Sequence, residues 1–304
     1  MDILKAFEVH AAYMLAMRNY SPVTLKGRET VLKFFVKSTG ITDLSAVTED
    51  TARDYLLRGR LDRNWAASTF ITHHKHLNVF YKWCVKNSYV TDNPFAEIEK
   101  PRLEKKLPRR LTREQAETLL EAALHMPYRH RIQRYRNHAL LAFMLFTGAR
   151  KSEVLKLKIG HVDVEAGCIQ ILQAKGMKDR IVPINMHLRP ILEKYLTERA
   201  KLKTETFHFF VSMRDGGFGE TGLRKLFVRL KKRTKLDFSP HTLRHTFATL
   251  MLEGGCDIYT LSKLMGHEKI TTTAIYLSAS TGLLRKSMER HPLGGASCMR
   301  YNLS

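Results

Sequence analysis

Apolar residues recur every three or four positions through roughly the first 100 residues, the spacing that buries one face of a helix. Leu4, Phe7, Ala11, Met14 and Leu15 form one such stripe. Ser21-Pro22 opens the next helix, because serine can accept a free first-turn N–H and proline has none to leave unpaired. That helix carries Leu25, Val31, Leu32, Phe35 and Val36 and stops near Gly40. Thr48 starts a third. A fourth runs from about Ser68 to Asn87 with Phe70, Leu77, Phe80, Tyr81 and Trp83, and Asn93-Pro94 ends the region. Four helices on short connections predict a small bundle.

The pattern breaks over residues 100–110, KPRLEKKLPRR, where two prolines, six basic residues and one acid predict an extended linker. Periodicity returns at Leu111. Thr112 with Gln115 makes a capping box ahead of Ala116, Leu119, Leu120 and Ala123. HALLAFMLF reads as a buried helix ending at Thr147-Gly148. Alternation follows: Cys168, Ile169, Ile171 and Leu172, a turn at Lys175-Gly176, then Ile181 to Ile184, a β-hairpin or small sheet. Helices resume at Leu188. TGLRKLFVRLKKRT sets Leu223, Leu226, Phe227 and Leu230 opposite a strongly basic face. Ser239-Pro240 caps a further helix closed by Gly254-Gly255, and Asp257 opens a short one closed by Gly266. The predicted fold is mainly α: a helical bundle over 1–99, the linker over 100–110, and a helical domain with a small antiparallel β-sheet over 111–293. Residues 294–304 form a tail that no pattern places.

Charge narrows the partner. Lys+Arg number 51 against 29 Asp+Glu, leaving +22. Such an excess suits a polyanion, since each neutralised phosphate releases condensed counterions. A basic membrane-surface protein would need an amphipathic anchor or lipidation signal, and neither is evident. Cys84, Cys168, Cys256 and Cys298 lie far apart without a C-x-x-C pair, which predicts neither zinc knuckle nor disulfide framework and a reducing compartment. Asp2 and Glu8 interrupt the N-terminus, so no secretory signal is expected, and the longest apolar run, Ala139 to Phe146, is too short for a span. A soluble, cytoplasmic, DNA-binding protein is the expectation.

Four segments carry candidate chemistry: TGARKSEV, AKGMKDRIVPI, HTLRHTFAT and LMGHEKITTTAIY. Phosphoryl transfer without a metal needs fixed cations on the non-bridging oxygens, a nucleophile, and a proton donor for the leaving oxygen. Arginine suits the first task because its planar fork binds phosphate by two N–H groups and stays charged. Arg150 follows the glycine that ends a buried helix, and Glu153 three residues on can orient a donor. His241, Arg244 and His245 share one helix face. A zinc site on His241 and His245 would need a glutamate where Thr242 stands and a third ligand. His267 follows Gly266, and Tyr276 lies nine residues beyond His267. Singly, each has a bland reading: a surface cation, a core histidine, a core tyrosine.

Together, in this order, they resemble the tyrosine recombinase (phage-integrase-like) family, and within it the Xer-type enzymes. T-G-x-R-x-S-E is met by Thr147, Gly148, Arg150, Ser152 and Glu153; H-x-L-R-H-T by His241, Leu243, Arg244, His245 and Thr246. Leu264, Gly266, His267, Thr272, Thr273 and Tyr276 meet the last segment. The resemblance covers nearly the whole chain and implies a SAM-like core-binding domain ahead of a catalytic domain. It implies that Tyr276 attacks the scissile phosphate, forms a 3′-phosphotyrosine and releases a 5′ hydroxyl. Arg150 and Arg244 would clamp the non-bridging oxygens with His267 as a further donor, and His241 would assist proton transfer at the tyrosine. Lys175 would be the general acid, although Lys178 lies close by and Ala174 stands where relatives often have glycine. His245 and Glu153 would support these groups. The resemblance further implies no cofactor or metal, double-stranded DNA as substrate, four protomers on two DNA sites, an accessory protein as a possible partner, and a helix around Leu283 to Met288 for docking on a neighbour or packing at home. A non-catalytic DNA-binding protein on the same scaffold, a topoisomerase IB-like enzyme and a metallohydrolase are the competing readings.

Overall fold

The structure is a computed structural model that describes residues 1–103, 108–172, 179–213 and 216–276. The chain divides into two compact units, Met1–Lys105 and Lys106–Ser304.

The first unit contains α1 (Ile3–Arg18), α2 (Pro22–Thr39), α3 (Glu49–Leu61) and α4 (Ala67–Lys86), with a single 3₁₀ turn at Leu44–Ala46. The caps follow side-chain chemistry. Asp2 accepts from the N–H groups of Leu4 and Lys5, Ser21 from Thr24 and Thr48 from Thr51, each pairing a first-turn donor that the helix itself leaves open. Phe7, Leu32, Phe35, Leu77, Phe80 and Phe95 meet in one core. His74 belongs to this interior, with its Nε2 donating to the Phe95 carbonyl at 2.9 Å, and His73 Nδ1 pairs with the Tyr55 hydroxyl at 2.7 Å. Two members of the His73–His76 cluster therefore serve packing.

The second unit is built around α6 (Arg131–Thr147), whose segment Ala139–Leu145 is buried throughout. It packs against α5 (Arg113–His125), α8 (Leu188–Ala200) and α10 (Pro240–Glu253). The remaining helices are α7 (Lys151–Lys156), α9 (Glu220–Thr234), α11 (Ile258–Met265) and α12 (Thr271–Ala274). The alternating segment forms β2 (Cys168–Ile171) and β3 (Arg180–Pro183), paired antiparallel with Ile169 opposite Val182. A third strand, β1 (Val162–Asp163), extends this sheet beside β2. Two residues carry no readable alternation, so that strand was invisible in the pattern. Ile169 and Val182 face the core while Ile181 faces solvent. The same parity turns Arg180 inward with Val182. No helix among the described residues is long and apolar enough to cross a membrane.

Candidate active site

Local sequence fixes the first arginine. Thr147 closes α6 by donating its hydroxyl to the Phe143 carbonyl at 2.6 Å and then accepts from the Ala149 N–H at 3.2 Å. Gly148 turns the chain at φ +61°, and a Cβ there would lie 2.3 Å from the Phe247 ring, so only glycine fits. Arg150 follows as the residue that starts α7. Both α6 and α10 thus hold the backbone from which Arg150 projects.

Glu153 is the anionic centre of the site. Its carboxylate accepts from the Arg150 backbone N–H at 2.7 Å and the Arg150 guanidinium at 2.9 Å. From β3, Arg180 adds a fork of two bonds at 3.1 and 2.8 Å. Burial pushes the Glu153 carboxyl up, but the hydrogen bonds and charge of Arg180 and the bonds from Arg150 outweigh it, and its pKa ends below the usual range. It is therefore ionised at neutral pH.

Three consecutive carbonyls at the C-terminal end of α11 each receive a different arginine. The Leu264 carbonyl accepts from Arg180 Nε at 2.8 Å, the Met265 carbonyl from Arg244 at 2.7 Å, and the Gly266 carbonyl from Arg150 at 3.2 Å. The end of a helix carries unpaired carbonyls and the negative pole of its dipole, which explains why guanidinium groups collect there. Gly266 ends the helix in the left-handed region, φ +65°, and hands the chain to His267.

Arg244, 6% exposed on α10, also donates to the Gly148 carbonyl at 2.6 Å and meets His267 Nε2 at 2.9 Å. A guanidinium has only donors, so His267 Nε2 accepts and its Nδ1 carries the hydrogen. That N–H donates to the Thr273 hydroxyl of α12 at 2.8 Å. Burial, then the charges of Arg244, Arg150 and Arg180, lower the His267 pKa to about 4, consistent with the neutral ring. Burial and the neighbouring Arg150 lower Arg244 to about 10, which leaves it charged at neutral pH.

Tyr276 follows α12 directly and is 2% exposed, in a small core with Phe247, Leu261 and Met265. Its hydroxyl bonds His245 Nδ1 at 2.8 Å. Burial raises the phenol pKa, with Arg244 acting against the rise, while burial and then His241 and Arg244 lower that of His245. The neutral imidazole faces a protonated phenol. His241, assigned to the tyrosine by resemblance, is instead exposed one turn earlier on α10, its ring 6.5 Å from that of His245. Thr246 of the same motif is structural: its hydroxyl accepts the Leu111 N–H at 2.9 Å and ties the end of the linker to α10.

One unit thus brings together Arg150, Glu153, Arg244, His245, His267 and Tyr276, with His241 at the rim. Lys175 and Lys178 lie outside the described residues, as do Leu283 to Met288 and residues 294–304. Arg180 was missed by sequence reasoning. Its signal was parity, because an arginine in register with Val182 and Ile184 falls where the strand pattern calls for an apolar residue.

The Phage integrase family matches residues 109–282. The tyrosine recombinase XerC of Oceanobacillus iheyensis is 32% identical over 295 residues, 92% of this chain and 93% of that protein. The chain belongs to the phage integrase family. The Bacillus licheniformis tyrosine recombinase XerC is 30% identical over 292 residues, covering 92% of this chain and 94% of its own. The Tn1549 transposon integrase, solved with transposon right end DNA, shares the fold: TM-score 0.74 at 21% identity over 95% of this chain and 99% of that one. The ordered motifs are therefore those of a Xer-like tyrosine recombinase.

Proposed function

We propose that this recombinase cleaves one DNA strand at a time by attack of Tyr276 on the scissile phosphate, with Arg150 and Arg244 as its fixed cations. The observation that carries this reading is the convergence of both arginines, His267 and the Tyr276–His245 pair around one turn, Leu264 to His267. In this reading the unit bearing these residues is the catalytic domain, and the helical bundle of the first unit binds DNA.

The tyrosine oxygen forms the new P–O bond as the bond from phosphorus to the 5′ oxygen breaks. The phenol proton passes to His245, whose Nδ1 already faces it, and His241 can relay it towards solvent. The leaving 5′ oxygen takes a proton from the general acid, the role that resemblance gives Lys175. Negative charge developing on the non-bridging oxygens is met by the two guanidinium groups, which are prepositioned in a water-poor site. His267 presents an acceptor to Arg244, so it becomes a phosphate donor only by gaining a proton at Nε2, which the charge of a bound phosphate favours. Tyr276 is sealed from solvent, so α12 must shift for the phosphate to be reached. The reverse step, with a 5′ hydroxyl from a second duplex, rejoins the strands. Exchange between two sites then calls for four protomers.

The polarity of the break tests this scheme. Duplexes selected from a randomised library by binding to the protein are cleaved, and the products are treated with polynucleotide kinase. Labelling of the new 5′ end without prior phosphatase treatment, with the other fragment attached to protein, is expected. A free 3′ hydroxyl beside a 5′ phosphate would contradict it.

A further inference from the structure

Arg180 takes no part in the cleavage chemistry set out above. It sits on β3 with its side chain 7% exposed, turned inward and not towards solvent. Its three nitrogens are committed: two to Glu153 and Nε to the Leu264 carbonyl. We propose that Arg180 is a positioning residue for strand cleavage, a third arginine that fixes Arg150 and the Gly266–His267 turn relative to each other.

One carboxylate can serve only a limited number of donors. Glu153 has two oxygens and about four lone-pair directions. The Arg150 backbone and side chain supply two of its donors, and the Arg180 fork supplies the other two. Each oxygen therefore receives one bond from each arginine, so the carboxylate is held from opposite sides and its torsion is set. Without Arg180, Glu153 keeps only its bonds to Arg150, on its own helix α7, and is free to rotate with it. The second tie runs through Leu264, two residues before the carbonyl that receives Arg150 and three before His267. Arg180 thereby links the anion that orients Arg150 to the helix end that orients Arg244 and His267.

Charge supports the same assignment. Arg150, Arg180 and Arg244 surround a single carboxylate, an arrangement that repels itself unless each guanidinium is held by its own bonds. Arg180 acts through Arg150 and the Gly266–His267 turn and not on substrate itself, so its loss belongs to the rate of cleavage. Arg180→Met removes all three bonds. Arg180→Lys keeps the charge, but one ammonium on a flexible stem cannot reproduce a planar fork together with the third bond.

The proposal depends on Arg150 acting at the phosphate, and its test separates the two ideas. The full-length protein and the variants Arg150→Ala, Arg180→Met, Arg180→Lys and the double variant Arg150→Ala/Arg180→Met are compared on selected duplexes carrying a nick near the site. The maximal single-turnover rate of adduct formation and the DNA concentration at half saturation are measured separately. Arg180→Met is expected to slow cleavage roughly a hundredfold, as a misplaced reacting group does, with half-saturation unchanged and Arg180→Lys between it and the parent. The double variant is expected to be slower than Arg150→Ala alone by far less than that hundredfold, because only the tie to the Leu264 carbonyl is left to lose. Multiplying losses in the double variant, or equal losses in rate and binding, would overturn the positioning role while leaving the function intact. Full activity in Arg150→Ala would instead overturn the functional reading on which it rests. If Arg180→Met does not fold, Arg180→Lys and Arg150→Ala/Arg180→Lys carry the same comparison.

Discussion

Individual side chains decide whether the site exists. Gly148 lies under the Phe247 ring at positive φ, so Gly148→Ala combines backbone strain with overlap. It is expected to cost roughly 2–4 kcal/mol and to lower the melting temperature by about 5–10 °C; an unchanged melting curve would refute the stated geometry. Arg244 holds two carbonyls and a histidine at once. Arg244→Lys retains the charge but cannot span those partners, and its cleavage rate should fall roughly a hundred- to thousandfold. At this scale much was readable from sequence. Arg150, Arg244 and Tyr276 stand in spaced motifs, and the Thr147-Gly148 helix end announced itself. Which of His241 and His245 bonds the Tyr276 hydroxyl was not readable. Both occupy one face of α10, and only the three-dimensional position of Tyr276 decides which ring meets the phenol.

Elements carry those residues into register. The end of α11 is the hub, and α12 is held to it by the His267–Thr273 bond. Thr273→Val removes that acceptor at nearly constant shape. Because α12 has to move before Tyr276 meets the phosphate, the loss is expected to speed adduct formation by up to about tenfold, the effect of one hydrogen bond of about 1.4 kcal/mol, with DNA affinity unchanged. A slower reaction, or a loss of affinity, would contradict the required movement of α12. Helix starts were legible because Ser21, Thr48, Thr112 and Ser239 cap by local chemistry. The role of β3 was not. A four-residue strand with one inward arginine gives too short a pattern to announce its bonds to Glu153 and the Leu264 carbonyl.

For the whole molecule, charge and buried histidines set the response to solution conditions. With +22 formal charge, DNA affinity should fall steeply and linearly on logarithmic axes as salt rises. His10, His73, His138 and His267 each have a pKa lowered to about 4, first of all by burial. In the unfolded chain these rings take up protons near pH 6.5, whereas the folded chain keeps them neutral to about 4. Unfolding therefore binds protons between those limits, and stability falls as pH drops through that window. The melting temperature is expected to fall by roughly 5 °C or more between pH 7 and 5; a flat or rising curve would contradict it.

The whole scheme requires Tyr276 to become covalently joined to DNA. A labelled duplex, selected by binding and nicked near the site, is incubated with the parent and with Tyr276→Phe and resolved on a denaturing gel. A labelled band at the mass of protein plus DNA is expected in the parent and none in the variant, with both binding the duplex equally well. An adduct that survives in Tyr276→Phe, or none in a parent that binds tightly, would contradict it.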